Sequence, residues 1–351
     1  MALSMNRFAK ELTIRDKVIS QTAPPYLIAE MACAHDGEYG KAVKLIEAAV
    51  DGGADAIQFE ILDPDDNVIP NTDMYNLLKK LYFSPDQWSD LVAYARNFDI
   101  AVFNFAYDPI SLELGFDLGV DAVKLNSSDL LHTDMLRRCA EVGLPLSLGT
   151  GGSTLEEIEI ALDCYANHGG QSAILMQGVQ SFPTLNQYAR IRRMSILREK
   201  FDCLVGYADH TAGHTELARV LDLVALGAGA CVLEKHITWD RSEKGIDHES
   251  ALEPCEYKQY VSLIRDAQIA LGDGDVTALI QPDERYRLFQ KKTITAAVDI
   301  AAGEIITRDK IAFLRNMSLP GLPPTRANDI CGCKVNRNIT QFEQIQLNDL
   351  D

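Results

Sequence analysis

The sequence predicts a (β/α)8 TIM barrel followed by a small β-rich domain, and three observations carry that prediction. Eight short apolar runs alternate with eight stretches of helical periodicity between residues 26 and 271, the size and rhythm of such a barrel. Polar and ionisable residues gather at the C-terminal ends of the apolar runs, where a barrel presents its chemistry. After Gly272 the texture changes to short β-rich pieces broken by turns and prolines. A doubly wound parallel sheet is the competing arrangement. It is disfavoured because no glycine-rich phosphate loop follows the first strand, and Gly151-Gly152 alone is no fingerprint.

Each element follows in turn. The first strand, residues 26–30, comes directly after Pro24-Pro25, and helical spacing over 40–50 stops at Gly52-Gly53. Further strands are expected at 54–60, 100–105, 122–126, 144–148, 172–177, 203–207 and 230–235. The helices between and after them are expected at 85–97, 111–118, 131–142, 154–166, 188–200, 216–226 and 254–271. Ser153-Thr154-Leu155-Glu156 reads as the capping pattern that opens one of them. The barrel is expected over residues 1–280 and a linker with Pro282 and Arg285-Tyr286-Arg287 over 281–290. The second domain is expected over 291–351, with strands at 293–298, 310–314 and 334–336, a turn at 301–304 and a rigid proline loop at 320–324. About 60 residues lie near the lower limit for a self-sufficient core, so this module is expected to lean on another surface.

Bulk properties narrow the partners. The 351 residues are 47% hydrophobic, enough for a sizeable core, and the formal net charge of -18 argues against nucleic acid and anionic membranes. An anionic substrate would have to be held by a local positive site against that field. The eight cysteines show no repeated spacing, and Cys331-Gly332-Cys333 is too close-set for a zinc knuckle. They are expected to be reduced and mostly buried, which points to the cytoplasm. No apolar run approaches ~18 residues, so no membrane span is expected, and residues 1–20 lack the apolar centre of a signal peptide.

The chemistry concentrates at the last two strands. Cys231-Val232-Leu233-Glu234-Lys235-His236 delivers three ionisable residues into a charged loop, and Leu204-Val205-Gly206-Tyr207-Ala208-Asp209-His210 does the same one unit earlier. His210 and His236 would then point into one mouth as paired ligands for a divalent metal. The plainer alternative is two unrelated histidines, one satisfied in the core and one capping a loop. The other strand ends bring Glu30, Gln58 with Glu60, Asn104, Lys124 with Ser127 and Asp129, Thr150, Gln177, Asp209 and Glu234 to the same mouth. Lys124 either anchors an anionic ligand or pairs with Asp129 or Glu30.

These residues resemble the sialic acid (N-acetylneuraminate) synthase family. The likeness rests on Ile28-Ala29-Glu30-Met31-Ala32-Cys33-Ala34-His35-Asp36-Gly37, on Gly53-Ala54-Asp55-Ala56 and on Asp209-His210-Thr211. It rests above all on Glu234-Lys235-His236 running on to Gly245-Ile246-Asp247-His248 and Leu252-Glu253-Pro254. The tail from about Lys291 to Leu350 resembles that family's C-terminal antifreeze-like (SAF) domain. The resemblance implies condensation of phosphoenolpyruvate with an N-acetylmannosamine-like aldose to a nonulosonic acid. It implies a divalent metal, Mn2+, on His210 and His236, and an acidic residue where Asp129 stands; Glu30, Asp129 and Glu234 are the candidate catalytic residues. Gln58, Glu60, Asn104, Lys124, Ser127, Thr150, Gln180, Phe182, Asp247 and Arg315 are implied to bind substrate. A domain-swapped homodimer is also implied, with Arg315 reaching the partner's sugar.

The departures cluster on the donor side. Gln58-Phe59-Glu60 stands where the family has Lys-Phe-Gln, and Asn104-Phe105-Ala106-Tyr107 where it has Ser-Thr-Pro-Phe. Gly149 and Ala208 replace expected serines, and Gln180-Ser181-Phe182-Pro183 replaces an Asn-x-Tyr-Pro run. Hydrogen bonds to charged groups contribute ~1.5–3 kcal/mol each, so the loss is large unless Gln58, Asn104 or Ser128 compensates. The alternative function is a metal-dependent sugar lyase, epimerase or condensing enzyme that no longer uses phosphoenolpyruvate. A catalytically silent sugar-binding or assembly protein is a third.

Overall fold

The computed structural model describes residues 7–272, 274–275, 277–315 and 321–351. Within them the chain forms two compact units, Met1–Asp273 and Gly274–Asp351. The first opens with an antiparallel hairpin, β1 (Glu11–Ile14) and β2 (Lys17–Ser20). Eight strands then alternate with helices: β3 (Tyr26–Glu30), α1 (Tyr39–Gly52), β4 (Ala56–Ile61), α2 (Pro64–Asn67), α3 (Asp73–Leu81) and α4 (Pro85–Ala95). Next come β5 (Ala101–Ala106), α5 (Pro109–Asp117), β6 (Ala122–Leu125), α6 (Thr133–Val142), β7 (Leu146–Gly149) and α7 (Leu155–Asn167). The series ends with β8 (Ala173–Gln177), α8 (Arg193–Phe201), β9 (Leu204–Asp209), α9 (Leu217–Gly227), β10 (Val232–His236) and α10 (Pro254–Leu271).

Strands β3 to β10 pair in sequence order and parallel, and β10 closes on β3. This is the expected TIM barrel. Because every strand is covered on both faces, strands such as β3, β4 and β5 are buried throughout, as parallel strands must be. Outward residues such as Leu27, Ile57, Val102 and Leu148 pack under the helices. Inward residues such as Ile28, Ala56, Phe103 and Ile174 fill the barrel interior, joined by Leu12, Ile14 and Ile19 of the hairpin, which floors it. The hairpin is absent from the sequence reading because its pattern spans only four residues per strand.

Two further differences matter for the site. The stretch between β4 and α4, for which the sequence pattern predicts no element, holds α2 and α3, whose starts are capped by Asp63 on Asp65 N (2.9 Å) and Thr72 on Tyr75 N (3.1 Å). The helix expected from 188 starts at Arg193, after a short 3-10 turn at Asn186–Tyr188. The capping box at the start of α7 is formed by Thr154 and Glu157, one residue later than the expected Ser153 and Glu156.

In the second unit, residues 281–290, expected as a linker, form α11 (Gln281–Gln290), with Pro282 in its first turn where proline fits a helix. Strands β11 (Lys292–Ala296) and β12 (Ile311–Arg315) pair antiparallel, and α12 (Ala327–Ile330) follows. No strand forms at 334–336; Lys334 and Val335 make only isolated bridges to Ile305 and Leu350. Ile294, Ile306, Ile330, Val335, Ile339 and Ile345 make this unit's own core. Pro320 of the expected proline loop lies outside the described residues. All eight cysteines are free thiols, and Cys33, Cys139, Cys203 and Cys231 are buried. Among the described residues no helix is long and apolar enough to cross a membrane.

Candidate active site

Strand alternation decides which of the expected residues reach the mouth, since successive side chains face opposite sides of a strand. His236 and Glu234 of β10 face inward, and so do Ala208 and His210 at the end of β9. Lys235 and Asp209, on the other parity, face the helices. Lys235 pairs with Asp209 and with Asp222 of α9 (2.5 Å) and donates to the Ala218 carbonyl (2.8 Å). That fully buried cluster holds the ends of β9 and β10 together from behind.

His210, Glu234 and His236 each offer a ligand atom, all within 4.8 Å of one another. His210 Nδ1 lies 3.0 Å from the Val179 carbonyl. Donation of its N–H there leaves Nε2 as a lone pair, the usual way a ligating histidine is fixed. Burial lowers the His210 pKa to about 4 and puts His236 well below its ordinary value, so both rings are neutral near pH 7. His236 Nδ1 and Glu234 Oε2 are buried without a hydrogen-bond partner among the described residues. Unpartnered nitrogen and carboxylate atoms beside a neutral imidazole suit a first-row divalent ion. The residues present therefore fit a metal.

Lys124 of β6 lies beside this cluster. Of the partners considered for it, neither Asp129 nor Glu30 takes the ammonium. Glu234 Oε1 does, at 2.6 Å, with both side chains buried. The ammonium also stands 3.9 Å from the Phe105 ring centroid, a desolvated cation–π contact. Lys124 is the only lysine or arginine among the described residues lining a cavity of about 470 Å³ that opens from the barrel mouth.

His210, His236, Glu60, Ser127, Thr150, Gln180, Phe182 and Asp247 also line that cavity. Phe182 stacks edge-on to His210 at 4.5 Å. Asp247 sits in left-handed backbone (φ 64°), in a loop tied down where His248 Nδ1 meets Thr238 Oγ1 (3.1 Å) and the Asp240 carbonyl (3.2 Å). Burial raises its pKa to about 6. Glu60 rises to about 7, first through burial and then through Asp247.

Other expected residues stay out of the cavity. Asn104 is a correction. Phe103 and Phe105 take the inward parity on β5, so Asn104 turns outward, packs on Gly115 and donates to the Ser111 carbonyl (3.0 Å). Gln177 likewise turns out, to Arg193 of α8 (3.0 Å). Glu30 and Gln58 lie buried beneath the cavity, bonded to each other, with the Ala32 N–H also on Glu30 (2.7 Å). Burial holds the Glu30 carboxyl well above the usual range, Lys124 opposing it. Glu234 stands behind Lys124. Asp129 is half-buried beside the cavity, held by the Ser128 hydroxyl (2.6 Å). Arg315 is exposed at the end of β12, with Lys291 and Lys292 along a groove of the second unit.

The sequence reading missed one wall of the cavity. Cys33 and Tyr107 hold Glu60 (3.4 and 2.7 Å), and Leu62, Val68, Met74, Leu78 and Ile246 line the same side. Tyr107 was legible from the parity of Phe105; the apolar wall depends on α2 and α3, which carried no recognised pattern. Gly149, where a serine was expected, has a physical cause. A Cβ there would lie 2.9 Å from the Ser127 amide nitrogen, too close without a shift.

Residues 45–276 match the model of the NeuB family. The chain is 29% identical to N,N'-diacetyllegionaminic acid synthase of Legionella pneumophila, with 90% of this chain and 91% of that protein aligned. Among solved structures, an N-acetylneuraminic acid (sialic acid) synthetase from Leptospira borgpetersenii superposes with a TM-score of 0.74 at 28% identity, over 80% of this chain and 96% of that one. A spore coat polysaccharide biosynthesis protein of Bacillus subtilis does so with a TM-score of 0.67 at 25% identity, over 97% and 99%.

Proposed function

The chain belongs to the NeuB family, and we propose that it joins phosphoenolpyruvate to the aldehyde of an N-acetylmannosamine-like aldose to give a nonulosonic acid. The observation that carries this reading is one cavity lined by both Lys124 and the two histidines of the His210–Glu234–His236 cluster. One charge anchors an anionic donor; the other group serves an aldehyde. A divalent cation such as Mn2+ held by His210 and His236, with Glu234 beside them, would act as a Lewis acid on that aldehyde.

The chain's own residues supply the rest. Lys124 holds the donor's negative charge, with Ser127 and Thr150 lining the same side of the mouth; the Thr150 hydroxyl donates to the Met176 carbonyl (2.9 Å), so the Ser127 hydroxyl is the neutral donor there. Glu234 fixes the Lys124 ammonium in place through their buried ion pair at 2.6 Å. Glu30 and Gln58 act beneath it as positioning residues, and Asp129 acts through Ser128. Gln180, Phe182, Glu60 and Asp247 enclose the acceptor, and the apolar lining excludes water from the enol carbon as the new bond forms. Water is taken up and phosphate leaves in the same overall reaction. The resemblance further supports a homodimer in which Arg315 of one subunit completes the acceptor site of the other.

The second reading, sugar chemistry without phosphoenolpyruvate, is favoured by Gln58, which stands in place of the family's donor-side lysine and lies bonded to Glu30, so that Lys124 is the one cation among the described residues lining the cavity. Phosphate release separates the two. With phosphoenolpyruvate, an acylamino aldose and Mn2+, release should depend on both substrates and stop with chelator. Release that ignores the aldose, or none with any aldose tried, rejects the synthase reading.

A further inference from the structure

Arg193 stands outside the barrel yet grips a loop that lines its mouth. The stretch between β7 and α7, Thr150-Gly151-Gly152-Ser153, holds two adjacent glycines, and Gly152 takes left-handed backbone (φ 70°). Glycine loses more conformational freedom on ordering than any other residue, so such a loop keeps one shape only if it is held. Arg193, in the first turn of α8, holds it. Its Nη1 donates to the Thr150 carbonyl (2.9 Å) and its Nη2 to the Ser153 carbonyl (2.8 Å), one on each side of the glycine pair. Nη1 also meets Gln177 Oε1 (3.0 Å) and Thr150 Oγ1 (3.3 Å).

Arginine is the residue of choice for buried ion pairs. Among the described residues, however, no hydrogen bond of this half-buried guanidinium goes to a carboxylate. Its partners are neutral oxygens, and three of the four belong to the loop. A planar fork fixes the separation of two carbonyls, which a point charge cannot do. The loop is also tight against the cavity on both flanks. Thr150 and Gly151 line it beside Lys124 and Ser127. A Cβ on Gly149 would lie 2.9 Å from the Ser127 nitrogen, and one on Gly151 would lie 3.0 Å from Gln180 Nε2 and the Gly178 carbonyl. A shift of the loop therefore reaches the donor side of the mouth first and Gln180 next.

Resting on the synthase reading above, we propose that Arg193 is a positioning residue for the reaction. From behind the barrel it sets the loop wall against which the anionic donor is seated, and Gln177 orients its guanidinium. Arg193 lines a separate outer cavity of about 640 Å³, so its place is reachable from solvent without passing the mouth.

The test is Arg193→Ala, with guanidinium added back far below denaturing concentration. Phosphate release should show the KM for phosphoenolpyruvate raised about tenfold or more and kcat changed less than about threefold, the pattern of lost ground-state binding. One equivalent of Mn2+ should stay bound, and guanidinium should lower that KM again. Arg193→Lys, which has no fork, should stay impaired. Adding Gln177→Leu to Arg193→Ala should cost nothing more, because the two side chains act as one unit. An unchanged donor KM in Arg193→Ala, full activity in Arg193→Lys, or a loss that guanidinium leaves untouched overturns the proposal. If the parent chain releases no phosphate with any aldose, the synthase reading fails, and the clamp is judged by hydrogen exchange. Faster exchange across residues 150–153 in Arg193→Ala, slowed by guanidinium, upholds it, and unchanged exchange overturns it.

Discussion

Removing Lys124 should cost the barrel far more than an ordinary ion pair is worth. Glu234 is fully buried, and its Oε1 faces the Lys124 ammonium at 2.6 Å while Oε2 has no hydrogen-bond partner among the described residues. Lys124→Met keeps the aliphatic bulk but strands that carboxylate, and breaking a buried pair from one side costs about 3–5 kcal/mol. At roughly 2–4 °C per kcal/mol for a domain of this size, the melting temperature should fall by roughly 10 °C. The double variant Lys124→Met with Glu234→Gln removes both charges, so most of the loss should return. Neither variant should bind phosphoenolpyruvate measurably. The assay is thermal unfolding by near-ultraviolet circular dichroism without metal, with donor affinity by calorimetry. If Lys124→Met alone costs under about 1 kcal/mol, or the double variant is no more stable than the single, Glu234 does not depend on Lys124 as argued.

Changing His210 and His236 together to alanine should reduce bound divalent metal from one equivalent to none by elemental analysis; retention of one equivalent refutes the pairing. Glu60 carries a pH signature. Burial raises its pKa in the folded chain to about 7, from about 4.5 for a solvated glutamate. Its contribution is therefore fully present below about 4.5 and lost as pH climbs through about 7, by on the order of 3 kcal/mol at ~1.4 kcal/mol per pH unit. The stability of Glu60→Gln relative to the parent should accordingly improve over that window in thermal melts; a flat difference contradicts it. Mixing Arg315→Ala with His236→Ala should restore part of the activity through mixed dimers carrying one intact site. A dead mixture with verified subunit exchange refutes completion in trans.

The barrel was legible because parallel strands buried on both faces leave near-continuous apolar runs, and those at 26–30 and 100–105 fall within one residue of β3 and β5. His210 and His236 were legible as a pair because both end such runs, and the structure brings them together with Glu234. What escaped had a physical cause in each case. Asn104 was assigned to the mouth by its nearness to a strand end, but Phe103 and Phe105 claim the inward parity. The hairpin at the barrel floor and α2–α3 at its mouth are short elements, and tertiary packing rather than local pattern holds them. The Lys124–Glu234 pair joins residues 110 apart in sequence, and only barrel closure brings them together. Residues 281–290 looked like a connector because Pro282 and the charges broke the apolar pattern, yet Pro282 sits in the first turn of α11.

The central claim is that this cavity forms a carbon–carbon bond between phosphoenolpyruvate and an acylamino aldose. Its most direct test is mass spectrometry of the product made from carbon-13-labelled phosphoenolpyruvate, an acylamino aldose and Mn2+. The account predicts an acid heavier than the aldose by one pyruvate, carrying all of the donor's labelled carbons and absent when His210 and His236 are changed to alanine. Aldose recovered unchanged or isomerised, with the label still in phosphoenolpyruvate or free pyruvate, contradicts it.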